Sequence, residues 1–182
     1  MEYNTDKLLI KRFKDGDGSA FRELVQRYQD KIYNLCRYMI ADANLAQDAA
    51  QDTFVKAYKA LNIYKPDFEF YTWLYRIAVN TCLDYRKKLK TTIPAEYEGV
   101  LDEIASPEPS PEHLYQSKET GALIQAALAR LPEKLRAVIV LKELEELSYD
   151  EIAQVLDVSI GTVKSRISRA REELRRLLRK KL

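Results

Sequence analysis

The 182-residue chain is poor in several things that would point to particular chemistries. It has two cysteines, Cys36 and Cys82, too few for a disulfide framework or a four-ligand zinc site. Its one histidine, His113, sits among prolines and acids. No G-x-x-x-x-G-K-S/T, G-x-G-x-x-G, G-x-S-x-G or H-E-x-x-H motif occurs, and no pair of carboxylates stands out, so nothing argues for catalysis, a cofactor or a small-molecule substrate. Long apolar runs are also missing. Ala137–Leu141 is the longest aliphatic stretch, against the ~20 residues needed to cross a bilayer. Met1-Glu2-Tyr3 opens a polar, acidic segment without an apolar signal core, so export is not expected and a cytoplasmic, metal-free protein is. Neither sign of charge dominates: 30 Lys and Arg against 28 Asp and Glu leave a net +2.

Glycine and proline are scarce and unevenly placed. None of the five glycines lies between Ser19 and Glu98, which favours helix there. Four of the six prolines (Pro94, Pro107, Pro109, Pro111) fall in residues 93–111, together with Glu96, Glu98, Asp102, Glu103 and Glu108 and no Lys or Arg. Proline cannot continue a helix interior and like charges repel, so the segment reads as an extended acidic linker. The expectation is an all-α protein of two small helical domains, 1–92 and 118–182, joined by a linker over 93–117.

In the first block, apolar residues at 21, 24, 25, 28, 32, 35, 36 and 39 keep helical spacing. A second helix is expected from about Leu45 to Leu61, with Ala50, Phe54, Ala57, Tyr58 and Leu61 inward. A third is expected from about Tyr71 to Leu89, with Leu74, Ile77, Ala78, Thr81, Cys82 and Tyr85 inward, and a loop carrying Pro66 lies between them. Both cysteines fall on apolar faces and read as small core hydrophobes.

In the second block, a helix over 118–131 is followed by Pro132, tolerated in a first turn, and a helix over 133–144. Ser148-Tyr149-Asp150-Glu151 fits a capping box. Helix then runs to Leu156, Asp157-Val158-Ser159 makes a short connector ending in a second N-cap, and a long helix follows. Two helices joined by such a turn form a helix-turn-helix, which can place its second helix in the major groove. Val163, Ile167, Ala170 and Leu174 lie within about 60° on the wheel and form the buried stripe, with Ser165, Ser168, Arg169 and Glu172 opposite. From Ser159 to Leu182 nine basic residues face two acids. A charge run is most often a solvated face. The capped preceding helix, small Ala153, short turn and short polar residues at the start of the basic helix together favour DNA.

Residues 68–75 hold five aromatics in eight. Beside the apolar stripe of the third helix, Trp73, Arg76, Asn80, Asp84 and Lys87 share one face, within about 80°. Aromatics at helical spacing are usually core, but a ring, a guanidinium, an amide and an ammonium in line also suit a nucleic-acid strand, whose unpaired bases stack on rings at roughly 1–3 kcal/mol each.

Three segments resemble one family, and in the order that family has them: Asp48-Ala-Ala-Gln-Asp-Thr-Phe54, Phe70-Tyr-Thr-Trp-Leu-Tyr-Arg-Ile-Ala-Val-Asn80, and Leu147-Ser-Tyr-Asp-Glu-Ile-Ala through Gly161-Thr-Val-Lys-Ser-Arg-Ile-Ser-Arg-Ala-Arg171. They resemble the core-polymerase-binding, promoter-melting and minus-35-reading segments of the extracytoplasmic-function (ECF) sigma factors of bacterial RNA polymerase. The resemblance implies that Asp48, Gln51, Asp52 and Phe54 meet the beta-prime coiled coil of the core enzyme, and that the second domain meets the beta flap. It implies a base pocket in the loop 62–70, with Phe68, Phe70, Trp73, Tyr75, Arg76, Asn80 and Lys87 serving the minus-10 element. Lys142, Thr162, Lys164, Ser165, Ser168, Arg169 and Arg171 would serve the minus-35 element. An anti-sigma factor, often membrane-anchored, is a common partner in the family. The chain departs from the pattern at Ala49 and Ala50, where larger aliphatics are frequent; at Asp52, where glutamate is common; and at Asp157, where glycine is frequent. A helix-turn-helix regulator acting alone is the competing reading, but it would need a dimer or ligand module.

If the two promoter boxes lie about 25 base pairs apart, their centres are roughly 85 Å apart at ~3.4 Å per pair. A relaxed 25-residue coil spans only about 25–30 Å. The linker must therefore be drawn out when both domains are on DNA.

Overall fold

The computed structural model describes residues 2–65, 68–92 and 115–179. Among them there is no strand. The elements are α1 (Glu2–Lys14), α2 (Ser19–Met39), α3 (Ala43–Ala60), a 3₁₀ turn (Leu61–Ile63), α4 (Phe70–Thr92), α5 (Tyr115–Arg130), α6 (Glu133–Glu143), α7 (Tyr149–Leu156) and α8 (Ile160–Arg179). Helices α1–α4 form one bundle and α5–α8 a second. Pro66, His113 and the proline-rich, acidic segment 93–114 lie outside the described residues, and α5 begins at Tyr115 rather than 118.

The sequence reading passes over α1. Its polar opening hides Leu9, Ile10 and Phe13, all buried. Each buried side chain of this kind contributes about 1.5–3 kcal/mol, enough to hold a 13-residue helix that is marginal by itself. Asp6, also buried, accepts hydrogen bonds from the Tyr28 hydroxyl and the Arg27 guanidinium of α2. Gly16, at φ +100°, ends α1: its N–H reaches Phe13 O at 3.0 Å and that of Asp17 reaches Arg12 O at 2.9 Å, the Schellman pattern that glycine permits.

The α2 stripe is buried as its spacing predicts, at Leu24, Tyr28, Ile32, Leu35, Cys36 and Met39. Helix α3 turns Ala46, Ala49, Ala50 and Ala57 inward. The alanines that depart from the family pattern are thus buried where α3 meets α2 and α4. Tyr58, expected inward, is half exposed and sets its ring edge-to-face on Phe13 and Phe21 at 5.2 and 5.1 Å. Cys36 and Cys82 meet in the core with their sulfurs 3.5 Å apart, and the hydrogen bond that Cys82 donates to Cys36, together with burial, pushes the Cys82 thiol far up, as suits an inert core thiol.

In the second bundle both caps form. Ser148 Oγ accepts from Glu151 N–H at 3.2 Å while Glu151 Oε2 accepts from Ser148 N–H at 2.6 Å. Asp157 takes the left-handed conformation, φ 54° and ψ 53°, that ends α7, and Ser159 Oγ caps α8 through Thr162 N–H at 3.1 Å. Val163, Ile167 and Ala170 are buried, as the wheel requires.

The two bundles share one continuous buried cluster. At its centre is Arg136, fully buried on α6, donating to Met39 O (2.9 Å), Leu131 O (3.1 Å) and Ala129 O. Arg86 of α4 also reaches Met39 O, at 3.3 Å. Two guanidiniums thus sit at the carbonyl end of α2, where the helix dipole favours positive charge.

Candidate nucleic-acid interface

The start of α4 and the loop before it enclose a cavity of about 260 Å³, walled by Ile63, Tyr64, Phe68, Thr72, Trp73 and Arg76 and, from the other bundle, Gln154. Local chemistry fixes its shape. The Tyr64 hydroxyl donates to Phe68 O at 2.6 Å, and Lys14 of α1 donates to Tyr64 O at 2.7 Å. The Tyr64 and Trp73 rings pack 4.9 Å apart. A concave wall of rings with a cation at its rim suits a planar, electron-rich group carried on a polyanion.

Of the residues expected to serve the minus-10 element, Phe68, Trp73 and Arg76 gather at this cavity, while Asn80 and Lys87 continue along the outer face of α4 and are exposed. Phe70 and Tyr75, expected in the same set, do not line the cavity. Phe70 falls in register with Leu74 and Ala78 and is buried, its ring edge-on to Tyr28 and Tyr64. Tyr75 falls in register with Val79 and Cys82. It is buried, and its hydroxyl donates to Glu145. Burial raises the Tyr75 phenol well above its ordinary value, so it keeps its proton for that bond, and burial likewise raises the Glu145 carboxyl.

On α8, Lys164, Ser165, Ser168 and Arg169 are exposed and form one polar face. Thr162 is half-buried and shares a hydrogen bond with Ser159. Arg171 is held by Glu143 of α6, its Nη2 2.6 Å from the carboxylate. Lys142 donates to Leu147 O at 3.0 Å and lies 5.3 Å from the centre of the Tyr149 ring. Those last two side chains are engaged within the bundle, beside the polar face rather than on it.

On α3, Asp48, Gln51 and Asp52 are exposed on one side, and Phe54 packs against the core. Asp52 accepts from the Tyr85 hydroxyl at 2.7 Å, and that hydrogen bond pushes the phenol up to about 12. Among the described residues no group of His, Cys, Asp and Glu could hold a metal ion, and no helix is long and apolar enough to cross a membrane.

The sequence reading missed the residues that come to α4 from the second bundle: Glu145, Glu151, Gln154 and Asp157. Tyr71 donates to Glu151, and Arg76 pairs with Asp157 at 3.2 Å. No local pattern announces a contact across so long a stretch of chain.

A helical unit with a ring-lined cavity is thus coupled to a helix-turn-helix, and the two features suit unpaired and paired nucleic acid respectively. Residues 24–92 match the family Sigma-70 region 2, and residues 121–174 match Sigma-70, region 4. The ECF RNA polymerase sigma-E factor of Escherichia coli is 41% identical over 184 residues, covering 95% of this chain and 94% of that protein. The ECF RNA polymerase sigma factor SigW of Bacillus subtilis is 41% identical over 180 residues, covering 95% and 96%. Among solved structures, CnrH in complex with the cytosolic domain of CnrY has a TM-score of 0.72 at 30% identity, covering 96% of this chain and 97% of CnrH. The sigma factor RpoE of Bartonella quintana, in complex with the anti-sigma factor NepR, shares the fold with a TM-score of 0.67 at 24% identity, covering 87% and 96%.

The chain belongs to the ECF sigma factors, and it directs RNA polymerase to promoters.

Proposed function

We propose that the chain divides its work between residues 1–92, which bind core polymerase and open the minus-10 element, and residues 118–182, which read the minus-35 element, with 93–117 as the tether. The observation that carries this reading is the contrast between a ring-lined cavity on α4 and an open polar face on α8. Phe68 and Trp73 stack on an unpaired base, Arg76 and Lys87 hold its phosphates, and Asn80 reads the upstream edge. Lys164, Ser165, Ser168 and Arg169 enter the major groove, where Arg169 can pair bidentately with a guanine. Thr162, Arg171 and Lys142 brace that helix at phosphates.

No covalent step is needed. Capture of unpaired bases favours the opened strand, so binding energy shifts the melting equilibrium against an unstacking cost of a few kcal/mol per base. Asp48, Gln51 and Asp52 contact the polymerase coiled coil, and the second domain contacts the beta flap. The protein works in the cytoplasm without catalysis of its own, and an anti-sigma factor is its natural antagonist, as for the relative bound to NepR.

Run-off transcription with purified core polymerase on a promoter library tests the reading. Defined start sites that depend on the added chain are expected, and they should be lost when Asp48 and Asp52 are replaced by Ala. Tight, specific duplex binding by the free chain with no effect on polymerase would instead favour a stand-alone regulator.

A further inference from the structure

We propose that Tyr85 is a positioning residue for polymerase binding: from α4, its hydroxyl holds the Asp52 carboxylate of α3 in one orientation, ready to meet a cationic side chain of the core enzyme. The inference rests on the role of Asp52 proposed above. Helices α3 and α4 run antiparallel where they touch. Tyr85 meets Asp52 and, one turn along, Lys56 meets Thr81 at 3.0 Å and Asp84 at 3.4 Å. The Tyr85 ring packs against the buried core, with the Lys88 ammonium 5.7 Å from its centre. The hydroxyl is thus carried by the body of the bundle. It donates to Oδ2 of Asp52 at 2.7 Å, and the phenol, pushed up to about 12, keeps its proton at neutral pH.

The chemistry of the bond points outward from the fold. A carboxylate can accept from several donors, so the oxygen not bonded to Tyr85 is left to take a guanidinium or an ammonium. Lys56 stands four residues after Asp52, the spacing at which an acid and a base on one helix pair. Its ammonium is instead drawn to Thr81 and Asp84 of α4. Among the described residues Asp52 has no ion pair, and it is exposed. A neutral donor therefore orients this acid without cancelling its charge. Aspartate also reaches less far from its helix than glutamate, so it depends more on being aimed. A side chain ordered beforehand is spared much of the loss of freedom that binding otherwise imposes.

The test measures the affinity of the full chain for purified core polymerase, by competition with a fluorescently labelled parent chain. Tyr85→Phe removes the hydroxyl and keeps the packed ring, so the fold should be retained, as circular dichroism melting can verify. Binding should weaken about three- to tenfold, the size of one modest hydrogen bond. In a chain already carrying Asp52→Ala, Tyr85→Phe should cost nothing further, because the two residues act as one unit. Asp52→Asn keeps an acceptor for the hydroxyl and loses the charge. Its melting temperature should hold while its binding falls, a split that a purely structural bond would not give.

Unchanged affinity in Tyr85→Phe, with Asp52→Ala still weakening binding, would overturn the inference and leave the role of Asp52 standing. An equal loss from Tyr85→Phe in the parent and in the Asp52→Ala chain would overturn it too, since the hydroxyl would then act elsewhere. So would full binding by Asp52→Asn, because no cation would be met through charge. If Asp52→Ala and Asp52→Asn both leave the affinity unchanged, the role of Asp52 itself fails and the inference falls with it.

Discussion

Helices α4 and α8 both present cations toward solvent, yet they are built in opposite ways. On α8 the buried stripe is narrow and aliphatic, and the opposite face is polar and open. On α4 the buried stripe is aromatic at its start, half-buried Trp73 beside it walls a cavity with Tyr64 and Phe68 of the preceding segment, and part of its outer face is covered by the second bundle. An open polar face suits a closed duplex, whose base edges are read by hydrogen bonds. A ring-lined cavity suits a base that has already left the stack. On that difference rests the proposed division between opened strand and closed duplex.

The largest expected effect removes what the two bundles share. Arg136→Ala deletes a fully buried side chain and three hydrogen bonds to carbonyls, and should cost about 2–5 kcal/mol in chemical denaturation, loosening both halves together. Equal stability would mean that the seam does not join them. The next pair separates the helices. Trp73→Ala should weaken capture of single-stranded DNA by about 1–3 kcal/mol and leave duplex reading alone. Arg169→Ala should weaken promoter binding by a similar ~1–3 kcal/mol and relax preference at one minus-35 position. Footprinting and anisotropy with each DNA form check both, and equal loss on both forms would erase the contrast.

Ser148→Ala should cost about 1 kcal/mol by removing the α7 cap, seen as a lowered melting temperature. The smallest effect is in pH. Burial raises the Glu145 carboxyl, with the Tyr75 hydroxyl and Lys31 pulling the other way. A carboxyl with a raised folded value opposes the packing of the second bundle on α4 once it ionises. That contact is therefore favoured as pH falls below that value and weakened as pH rises through it. Acrylamide quenching of Trp73 fluorescence should rise from acid to neutral pH, and Glu145→Gln should flatten the curve.

What was legible in the sequence was local. The capping box at Ser148, the second cap at Ser159, the short connector at Asp157 and the stripe through Val163 each depend on neighbours a few residues away, and the structure has them all. The wheel also brought Trp73 and Arg76 to one side of α4, and the family motif drew attention to the loop before it. A motif rich in aromatics does not say which rings are core; the registers 70, 74, 78, 82 and 75, 79, 82 do, and they put Phe70 and Tyr75 in the buried stripe. Helix α1 was hidden by polar residues around Leu9, Ile10 and Phe13. Arg136, alone in the apolar run from Leu135 to Leu141, was the one sign of a buried seam, but its acceptor at Met39 is far away in sequence. Neither it nor the covering of α4 by α7 leaves a periodic trace.

The central claim is the division of labour between the two bundles. Run-off transcription with core polymerase, on a library in which the minus-10 and minus-35 boxes vary independently, tests it most directly. Asn80→Ala should shift preference in the downstream box alone and Arg169→Ala in the upstream box alone. If either substitution reshaped both boxes equally, or neither changed any preference, the assignment of one bundle to opened strands and the other to closed duplex would be contradicted.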